Sequence, residues 1–300
     1  MTDTAPKRAA APVKAAWIGL GNMGYPMAGH LQKAGWSVTV YNRSGPKVEA
    51  WVKDHGGQRA ATPAEAAKGA SIVCVCVGND DDLRAVTLGR DGAIDGMDAG
   101  AILCDHTTAS AIVARELDAA AKKKGAHALD APVSGGQEGA KKGILTIMVG
   151  GEPKVFARAE PALRAYGRAV TLMGPAGAGQ LTKMVNQICC VGAEQALAEA
   201  MNFAARAGLD GKKVVDVIAK GAAQSWQMEN RGKTMLDDKF DFGFAVDWMR
   251  KDLGIVLEEA RKNGATLPAT ALIADFYSRL QARGEGRLDN SALIRLLTKP

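Results

Sequence analysis

Short, continuous hydrophobic runs recur along the first 175 residues, and amphipathic segments separate them. Runs without polar alternation are typical of strands that are buried on both faces of a parallel sheet. The alternation of such strands with helices predicts a doubly wound α/β domain. The runs are AAWIGL (15–20), SVTVY (37–41), SIVCVCV (71–77), AILCD (101–105), AHALD (126–130), LTIMVG (145–150) and AVTLM (169–173).

The pattern changes after Gly174 and Pro175, where strand-like runs end and helical spacing begins. The first predicted helix runs from about Gly177 to Ala207, a length of ~45 Å at 1.5 Å per residue. Such a helix can join two domains. We therefore expect a disordered tail (1–13), a doubly wound α/β domain (14–176) and an all-helical C-terminal domain (177–300).

Composition narrows the class of protein. The chain has 300 residues, 47% of them hydrophobic and 23% charged, and no apolar run approaches the length of a membrane span. The N-terminus lacks the hydrophobic segment of a signal peptide, which favours a soluble, cytoplasmic protein. The net charge is +6, but the basic residues are scattered among acids, so we expect no nucleic-acid partner.

The five cysteines lie in apolar segments and lack a second ligand pair at zinc-binding spacing. We expect reduced core thiols, which fit a cytoplasmic compartment, and no metal.

A glycine-rich loop follows the first predicted strand and leads into a helix. Gly19, Gly21 and Gly24 have the spacing in which the first glycine allows a tight turn, the second admits a pyrophosphate and the third lets helix pack on strand. The motif predicts dinucleotide binding at the helix N-terminus. The expected cofactor contacts are Gly19, Leu20, Gly21, Asn22, Met23 and Gly24.

The second predicted strand ends in Asn42, Arg43 and Ser44, where an NAD site usually has an acidic residue for the ribose 2′-hydroxyl. A guanidinium can pair with a 2′-phosphate, and the amide and hydroxyl can hydrogen-bond to it. These three residues favour NADP(H) as cofactor, with NAD(H) possible. An exposed loop arginine without a ligand is the alternative.

The segment DAPVSGGQEGAKKG (130–143) contains a second glycine-rich turn at the end of a predicted strand, where ligands of open α/β sheets collect. Ser134, Gly135 and Gly136 can direct a hydroxyl and backbone N–H groups at an anion. A small carboxylate is the expected ligand, and a plain loop is the alternative.

The long helix carries a basic residue on a polar side. Leu181, Met184, Val185, Ile188 and Gly192 fall on one side at helical spacing, and Gln180, Lys183, Asn186 and Gln187 fall opposite. The polar side continues into apolar residues, so we expect it to be covered and Lys183 to be partly enclosed. Burial lowers the pKa of a lysine toward neutrality, where it can exchange a proton with a substrate hydroxyl. A solvated lysine is the alternative.

Four motifs, in this order, make the chain resemble the β-hydroxyacid dehydrogenase family from Ala15 onward. They are GLGNMGYPMA, DAPVSGG, GAGQLTKMVNQ and FAVDWMRKDLGI. The resemblance implies an NAD(P)-binding Rossmann domain (14–176) and an all-helical C-terminal domain for substrate binding and oligomerisation (177–300). The same resemblance implies a small 3-hydroxy acid or semialdehyde as substrate, a homodimer or homotetramer, and Lys183 as general acid/base. It also implies substrate contacts from Asn186 and Gln187, and cofactor contacts from Val77, Gly78, Thr108 and Lys251.

Two positions depart from the family pattern. Gln187 stands where a second Asn is frequent, which leaves its contact open, and VGNDDDL has Gly78 in place of a frequent proline and Asp82 in place of a frequent Asn. Two other functions remain open, an imine reductase and a non-catalytic dehydrogenase-like binding module. The presence of Lys183 counts against the imine reductase, because such enzymes usually lack it.

Overall fold

The computed structural model describes residues 13–299. The predicted disordered tail (1–13) lies outside this range except for Val13. The chain forms two compact units: one extends through Thr107 and resumes over Ala111–Gly179, and the other combines Thr108–Ser110 with the chain from Gln180. We call them the sheet unit and the helical unit.

The sheet unit contains nine strands within the described residues, and all seven predicted runs form strands. Two further strands, β3 and β7, are only two residues long, too short to produce a hydrophobic run. The strands are β1 (Lys14–Ile18), β2 (Ser37–Tyr41), β3 (Gln58–Arg59), β4 (Ile72–Val75), β5 (Ile102–Asp105), β6 (His127–Asp130), β7 (Val133–Ser134), β8 (Leu145–Gly150) and β9 (Gly167–Gly174).

Eight helices separate these strands. They are α1 (Gly24–Lys33), α2 (Gly45–His55), α3 (Pro63–Ala67), α4 (Asp80–Thr87), α5 (Ala93–Gly96), α6 (Ala111–Lys123), α7 (Gly136–Lys142) and α8 (Pro153–Leu163).

The strands pair in the order β3-β2-β1-β4-β5-β6-β8-β7, and β9 pairs with β8. From β3 to β6 every pairing is parallel, while β8 is antiparallel to β6 and β7. Every residue of β4 and β5 is buried, so both faces of the central sheet are covered, as continuous hydrophobic runs predict. Trp17, Trp51 and Tyr166 are the largest side chains of this core.

The helical unit has its own core, which includes Met201, Met249, Leu253 and Tyr277. Its helices are α9 (Ala178–Arg206), whose first two residues belong to the sheet unit, α10 (Gly211–Ile218), α11 (Trp226–Leu236), α12 (Val246–Asn263), α13 (Pro268–Ala282), a 3-10 helix (Asn290–Ile294) and α14 (Arg295–Thr298). Together the two units confirm the predicted fold class, an N-terminal Rossmann fold with an all-helical C-terminal part.

The burial of α9 differs from that of a simple amphipathic helix, in which the polar side faces solvent and the apolar side is buried. The polar side is covered, with Gln180 0%, Lys183 7% and Gln187 3% exposed. Val185, on the side that is apolar in sequence, is 60% exposed. The expectation that the polar side lies under cover is therefore correct, while the apolar side is only partly buried.

No helix within residues 13–299 is both long and apolar enough to cross a membrane. All five cysteines are free thiols, but Cys189 is exposed and Cys76 and Cys190 are half-buried. The expectation of core thiols therefore holds fully only for Cys74 and Cys104, because Cys189 lies on the exposed side of α9 together with Val185.

Candidate active site

The glycine loop between β1 and α1 has the backbone of a nucleotide-binding turn. Gly19 has a φ of +96°, and an added Cβ there would lie 2.1 Å from the carbonyl oxygen of Cys76. At Gly24 an added Cβ would lie 2.0 Å from the Gly19 carbonyl oxygen. Both positions therefore require glycine, one for the turn and the other for close packing of α1.

Gly21 differs from its two neighbours, since an added Cβ would have no atom within 4 Å. Nothing in the fold requires glycine here, but an approaching pyrophosphate does. Gly21 and Asn22 also line a cavity of about 440 Å³ to which α2 contributes Lys47 and α7 contributes Lys141. The residues present therefore fit a dinucleotide, with two basic side chains beside the loop.

The remaining residues of the loop anchor it. Leu20 is 1% exposed, and its N–H donates to Asn42 Oδ1 at 2.9 Å. Met23 is the residue before α1 and packs against the hydrophobic core. Asn42 Nδ2 donates in turn to the Ser44 carbonyl oxygen at 3.3 Å. The Asn42 amide therefore holds the glycine loop against the end of β2.

Arg43 is the only basic residue of the Asn42–Ser44 stretch and is largely exposed. Its Nη1 lies 3.2 Å from Asp82 Oδ1, and the exposed fractions of the two side chains are 78% and 27%. Asp82, whose position departs from the family pattern, thus contacts a residue predicted to bind the cofactor.

A hydrogen bond joins the loops after β4 and β5. The Val77 N–H donates to Thr107 Oγ1 at 3.1 Å, which fixes the backbone leading to Gly78. Asp105, at the end of β5, accepts the Thr107 N–H at 2.9 Å through Oδ1, while its buried Oδ2 has no hydrogen-bond partner within residues 13–299. Burial raises the pKa of Asp105 to about 7, and nearby Asp130 adds to the shift.

The second glycine-rich turn lies between β7 and α7. Ser134 ends β7, and Gly135 and Gly136 follow with φ of +128° and +60°. Both glycines are exposed, so their backbone is accessible. Asp130, at the start of the same motif, accepts the Gly177 N–H at 2.7 Å, which ties the motif to the segment that leads into α9.

Within the helical unit the structure brings together five predicted site residues: Lys183, Asn186, Gln187, Thr108 and Lys251. Lys251 Nζ donates to the Thr108 carbonyl oxygen at 2.5 Å and lies 2.9 Å from Asp252 Oδ1. Thr108 belongs to this unit although its neighbour Thr107 does not. In addition, the Ala109 N–H donates to Gln180 Oε1 at 3.1 Å. The short segment Thr108–Ser110 is therefore tied to both α9 and α12.

Lys183 is a buried amine whose pKa is lowered. Burial is the main cause because it disfavours the charged form, and the positive charge of Lys251 acts in the same direction. Asp252 and Cys190 oppose the shift. Of the described residues, no carboxylate lies within ion-pair distance of Lys183 Nζ. A buried lysine with a lowered pKa holds its proton less tightly than an exposed lysine and can serve as a general acid/base.

Gln187 has a defined place in this cluster. Its Nε2 donates to Asp252 Oδ2 at 2.6 Å, and its Oε1 accepts from Asn186 Nδ2 at 2.8 Å. Asn186 Nδ2 also donates to Cys190 Sγ at 3.4 Å. Because the amide of Gln187 is held from both ends, it fixes the orientation of the Asn186 side chain.

Two residues near the predicted site, Asp252 and Lys47, were not predicted from the sequence. Asp252 directly follows Lys251 in FAVDWMRKDLGI, so a carboxylate next to a predicted cofactor residue was the available signal. Lys47 lies five residues after Asn42 in the sequence. Only the cavity shows that its side chain lies beside the glycine loop. Across residues 13–299, no group of three or more His, Cys, Asp or Glu side chains is placed to hold a metal ion.

Two family models cover nearly the whole chain. The NAD binding domain of 6-phosphogluconate dehydrogenase matches residues 14–174, and the NAD-binding domain of NADP-dependent 3-hydroxyisobutyrate dehydrogenase matches residues 177–297.

Relatives that are similar over nearly the whole chain are also oxidoreductases. An uncharacterized oxidoreductase of Shewanella frigidimarina is 60% identical over 95% of this chain and 98% of its own length. A probable 3-hydroxyisobutyrate dehydrogenase-like protein of Arabidopsis thaliana is 40% identical over 95% and 85%. The 2-hydroxy-3-oxopropionate reductase of Escherichia coli is 33% identical over 95% and 97%.

Solved structures show the same fold. The 3-hydroxyisobutyrate dehydrogenase of Salmonella typhimurium has a TM-score of 0.87 at 30% identity, covering 95% of this chain and 99% of the other. The Mycobacterium tuberculosis 3-hydroxyisobutyrate dehydrogenase, solved with L-serine, has a TM-score of 0.85 at 31% identity and the same coverage. Psf3, solved with NADP+ and 2-OPP, has a TM-score of 0.86 at 25% identity, covering 94% and 99%.

The chain belongs to the β-hydroxyacid dehydrogenase family. It is an NAD(P)-dependent oxidoreductase, and neither an imine reductase nor a non-catalytic binding module is favoured.

Proposed function

We propose that the protein catalyses the reversible, NADP(H)-preferring oxidation of a small 3-hydroxy acid to its semialdehyde or ketone, with Lys183 as general acid/base. The observation that carries this proposal is the buried amine of Lys183, whose pKa is lowered, in one cluster with Asn186, Gln187, Lys251 and Asp252. A hydroxy acid gives up a proton from oxygen and a hydride from carbon. The protein must supply a base for the proton.

Lys183 acts in its neutral form during oxidation and accepts the hydroxyl proton. In the reductive direction the ammonium donates that proton to the carbonyl oxygen. Burial favours the neutral amine, so the base is present at a pH at which an exposed lysine would be almost entirely protonated. Asn186, oriented by Gln187, holds the substrate in place.

The substrate carboxylate is assigned to Ser134, Gly135 and Gly136, whose hydroxyl and backbone N–H groups suit an anion. The nicotinamide cofactor, when bound, supplies the hydride acceptor. The loop from Gly19 to Gly24 holds its pyrophosphate, and Arg43 pairs with the 2′-phosphate of NADP. Val77, Gly78, Thr108 and Lys251 are assigned to the remainder of the cofactor.

Names of relatives guide the choice of substrate. Similar proteins include 3-hydroxyisobutyrate dehydrogenases, one of them solved with L-serine, and a 2-hydroxy-3-oxopropionate reductase. The three compounds in these names, 3-hydroxyisobutyrate, serine and 2-hydroxy-3-oxopropionate, are short carboxylic acids with an oxygen atom on the β-carbon. We also propose a cytoplasmic homodimer or homotetramer, and the five free thiols fit a reducing compartment.

A spectrophotometric panel tests the function. The purified protein is assayed with 3-hydroxyisobutyrate, glycerate, serine and 4-hydroxybutyrate in the oxidative direction, and with tartronate semialdehyde, succinic semialdehyde and glyoxylate in the reductive direction, each with both cofactors. We expect turnover with at least one 3-hydroxy acid or its semialdehyde and a higher kcat/KM with the NADP form. No turnover with any compound, while both cofactors bind, would refute the proposed reaction class.

A further inference from the structure

The end of β2 carries an ion pair that joins it to a neighbouring helix. Arg43 follows β2 by two residues and Asp82 lies in the first turn of α4, and their Nη1 and Oδ1 atoms are 3.2 Å apart. Arg43 is the residue to which we assign the 2′-phosphate of NADP. The carboxylate thus contacts the guanidinium that is proposed to read the cofactor.

Asp82 is fixed by its helix, whereas Arg43 is a long side chain in solvent. The Asp82 N–H donates to Asn79 Oδ1 at 2.8 Å, which caps α4 and holds this turn in place. The Asp82 side chain is 27% exposed, compared with 78% for Arg43. The acid is therefore the stationary member of the pair.

Two neighbouring polar side chains, Asn42 and Arg84, are engaged by partners other than Asp82. The Asn42 amide is engaged by the Leu20 N–H and the Ser44 carbonyl oxygen. Arg84, two residues after Asp82 in α4, pairs with Glu116 at 2.7 Å and with Asp81 at 3.6 Å. Arg43 therefore stands as the positive group of the NRS stretch, and it already has a carboxylate partner.

We propose that Asp82 is a specificity-determining residue that weakens the binding of NADP relative to NAD by competing with the 2′-phosphate for Arg43. The inference rests on the proposed function, in which Arg43 binds that phosphate. A phosphate at neutral pH carries a charge of about −1.5 to −2, so Asp82 repels it and also occupies donors that it would use. NAD has a hydroxyl in this position and is not penalised. The chain accordingly accepts both cofactors, with only a moderate preference for NADP.

The test compares Asp82→Asn with Asp81→Asn as a matched control. Both substitutions remove one charge from the first turn of α4, but Asp81 is 97% exposed and pairs with Arg84 instead of Arg43. Dissociation constants of NADP+ and NAD+ are measured by isothermal titration calorimetry at fixed ionic strength. We expect Asp82→Asn to tighten NADP+ about 3- to 10-fold and to change NAD+ less than about 2-fold, and Asp81→Asn to have a smaller effect on NADP+.

Equal tightening of NADP+ by both variants, or weaker NADP+ binding by Asp82→Asn, would overturn the inference. Arg43→Gln separates this failure from failure of the proposed function. If Arg43→Gln leaves the ratio of the NADP+ and NAD+ constants unchanged, then Arg43 does not read the 2′-phosphate and both proposals fail at this residue. If Arg43→Gln lowers the NADP preference while Asp82→Asn has no selective effect, only the role of Asp82 is wrong.

Discussion

Gln187 Nε2 donates a 2.6 Å hydrogen bond to Asp252 Oδ2 and so links the middle of α9 to α12. Both side chains are almost fully buried, at 3% and 2% exposure. The same amide accepts from Asn186, so its orientation is determined by two partners. Gln187 is thus a positioning residue that connects the carboxylate of Asp252 to a proposed substrate contact.

Replacing Gln187 with Leu should impair both stability and substrate binding. The variant leaves Asp252 Oδ2 buried without its donor, which costs about 1–3 kcal/mol of unfolding free energy. Asn186 loses its acceptor, so KM should rise. Gln195→Leu is the control, because Gln195 is also a buried glutamine of α9 but donates to Glu199. Urea denaturation measures the loss of unfolding free energy in both variants. Steady-state kinetics should show a raised KM for Gln187→Leu only.

Replacing Lys183 should remove turnover without removing cofactor binding. We expect kcat to fall at least ~10²-fold in Lys183→Ala and Lys183→Met, since general acid/base catalysis contributes about 10²–10⁴-fold. The methionine fills the buried site without a charge, so the fold is retained. Fluorescence titration with NADPH should give a dissociation constant within about 2-fold of that of the unaltered protein. Retained turnover in Lys183→Met would contradict the proposed role.

The pH dependence of oxidation should respond in opposite directions to two neighbouring charges. Neutral Lys183 is the active base, so kcat/KM should rise with pH, and the midpoint should lie below the usual lysine pKa of about 10.4. Asp252 raises the pKa of Lys183 and Lys251 lowers it. Asp252→Asn should therefore move the midpoint to lower pH, and Lys251→Met should move it to higher pH. Shifts in the same direction would exclude Lys183 as the titrating base.

Two glycines of the cofactor loop should behave differently when replaced with alanine. In Gly21→Ala the new Cβ has no neighbour within 4 Å, so the protein should fold normally and bind both cofactors more weakly. In Gly24→Ala the Cβ would lie 2.0 Å from the Gly19 carbonyl oxygen, so thermal stability should fall. Thermal unfolding and calorimetric titration separate the two effects. Unchanged NAD+ and NADP+ affinity in Gly21→Ala would argue against a pyrophosphate at this loop.

Asp105 should make the protein less stable as pH rises. Its pKa is raised from 3.8 to about 7, mainly by burial, so the folded state keeps a proton that the unfolded state has lost over this interval. The contribution of Asp105 is fully present below about pH 4 and is lost as pH rises through about 7, by roughly 1.4 kcal/mol per pH unit. Asp105→Asn lacks this titration. Its unfolding free energy relative to the unaltered protein should therefore increase between pH 5 and pH 8 in urea denaturation, and a constant difference would contradict the raised pKa.

The sequence alone determined the element types and the boundary between strands and helices. Hydrophobic runs located seven strands because strands buried on both faces leave no polar alternation, and β2 and β8 have the predicted bounds. The glycine spacing predicted a tight turn at Gly19 and close packing at Gly24, and the structure has both features. The two-residue strands β3 and β7 could not be predicted, because two residues carry no periodicity.

Only the tertiary structure decided which side chains contact each other. Local spacing gives the side of a helix on which Lys183, Asn186 and Gln187 lie. It does not show that Asp252, 65 positions further along the chain, accepts a hydrogen bond from Gln187. The ion pair of Arg43 and Asp82 likewise joins segments after two different strands. A lowered lysine pKa and a carboxylate beside the predicted cofactor arginine depend on burial and on distances through space. Periodicity along the chain gives neither the burial of a side chain nor its distance from residues far away in sequence, whereas the packing of the folded chain fixes both burial and distance.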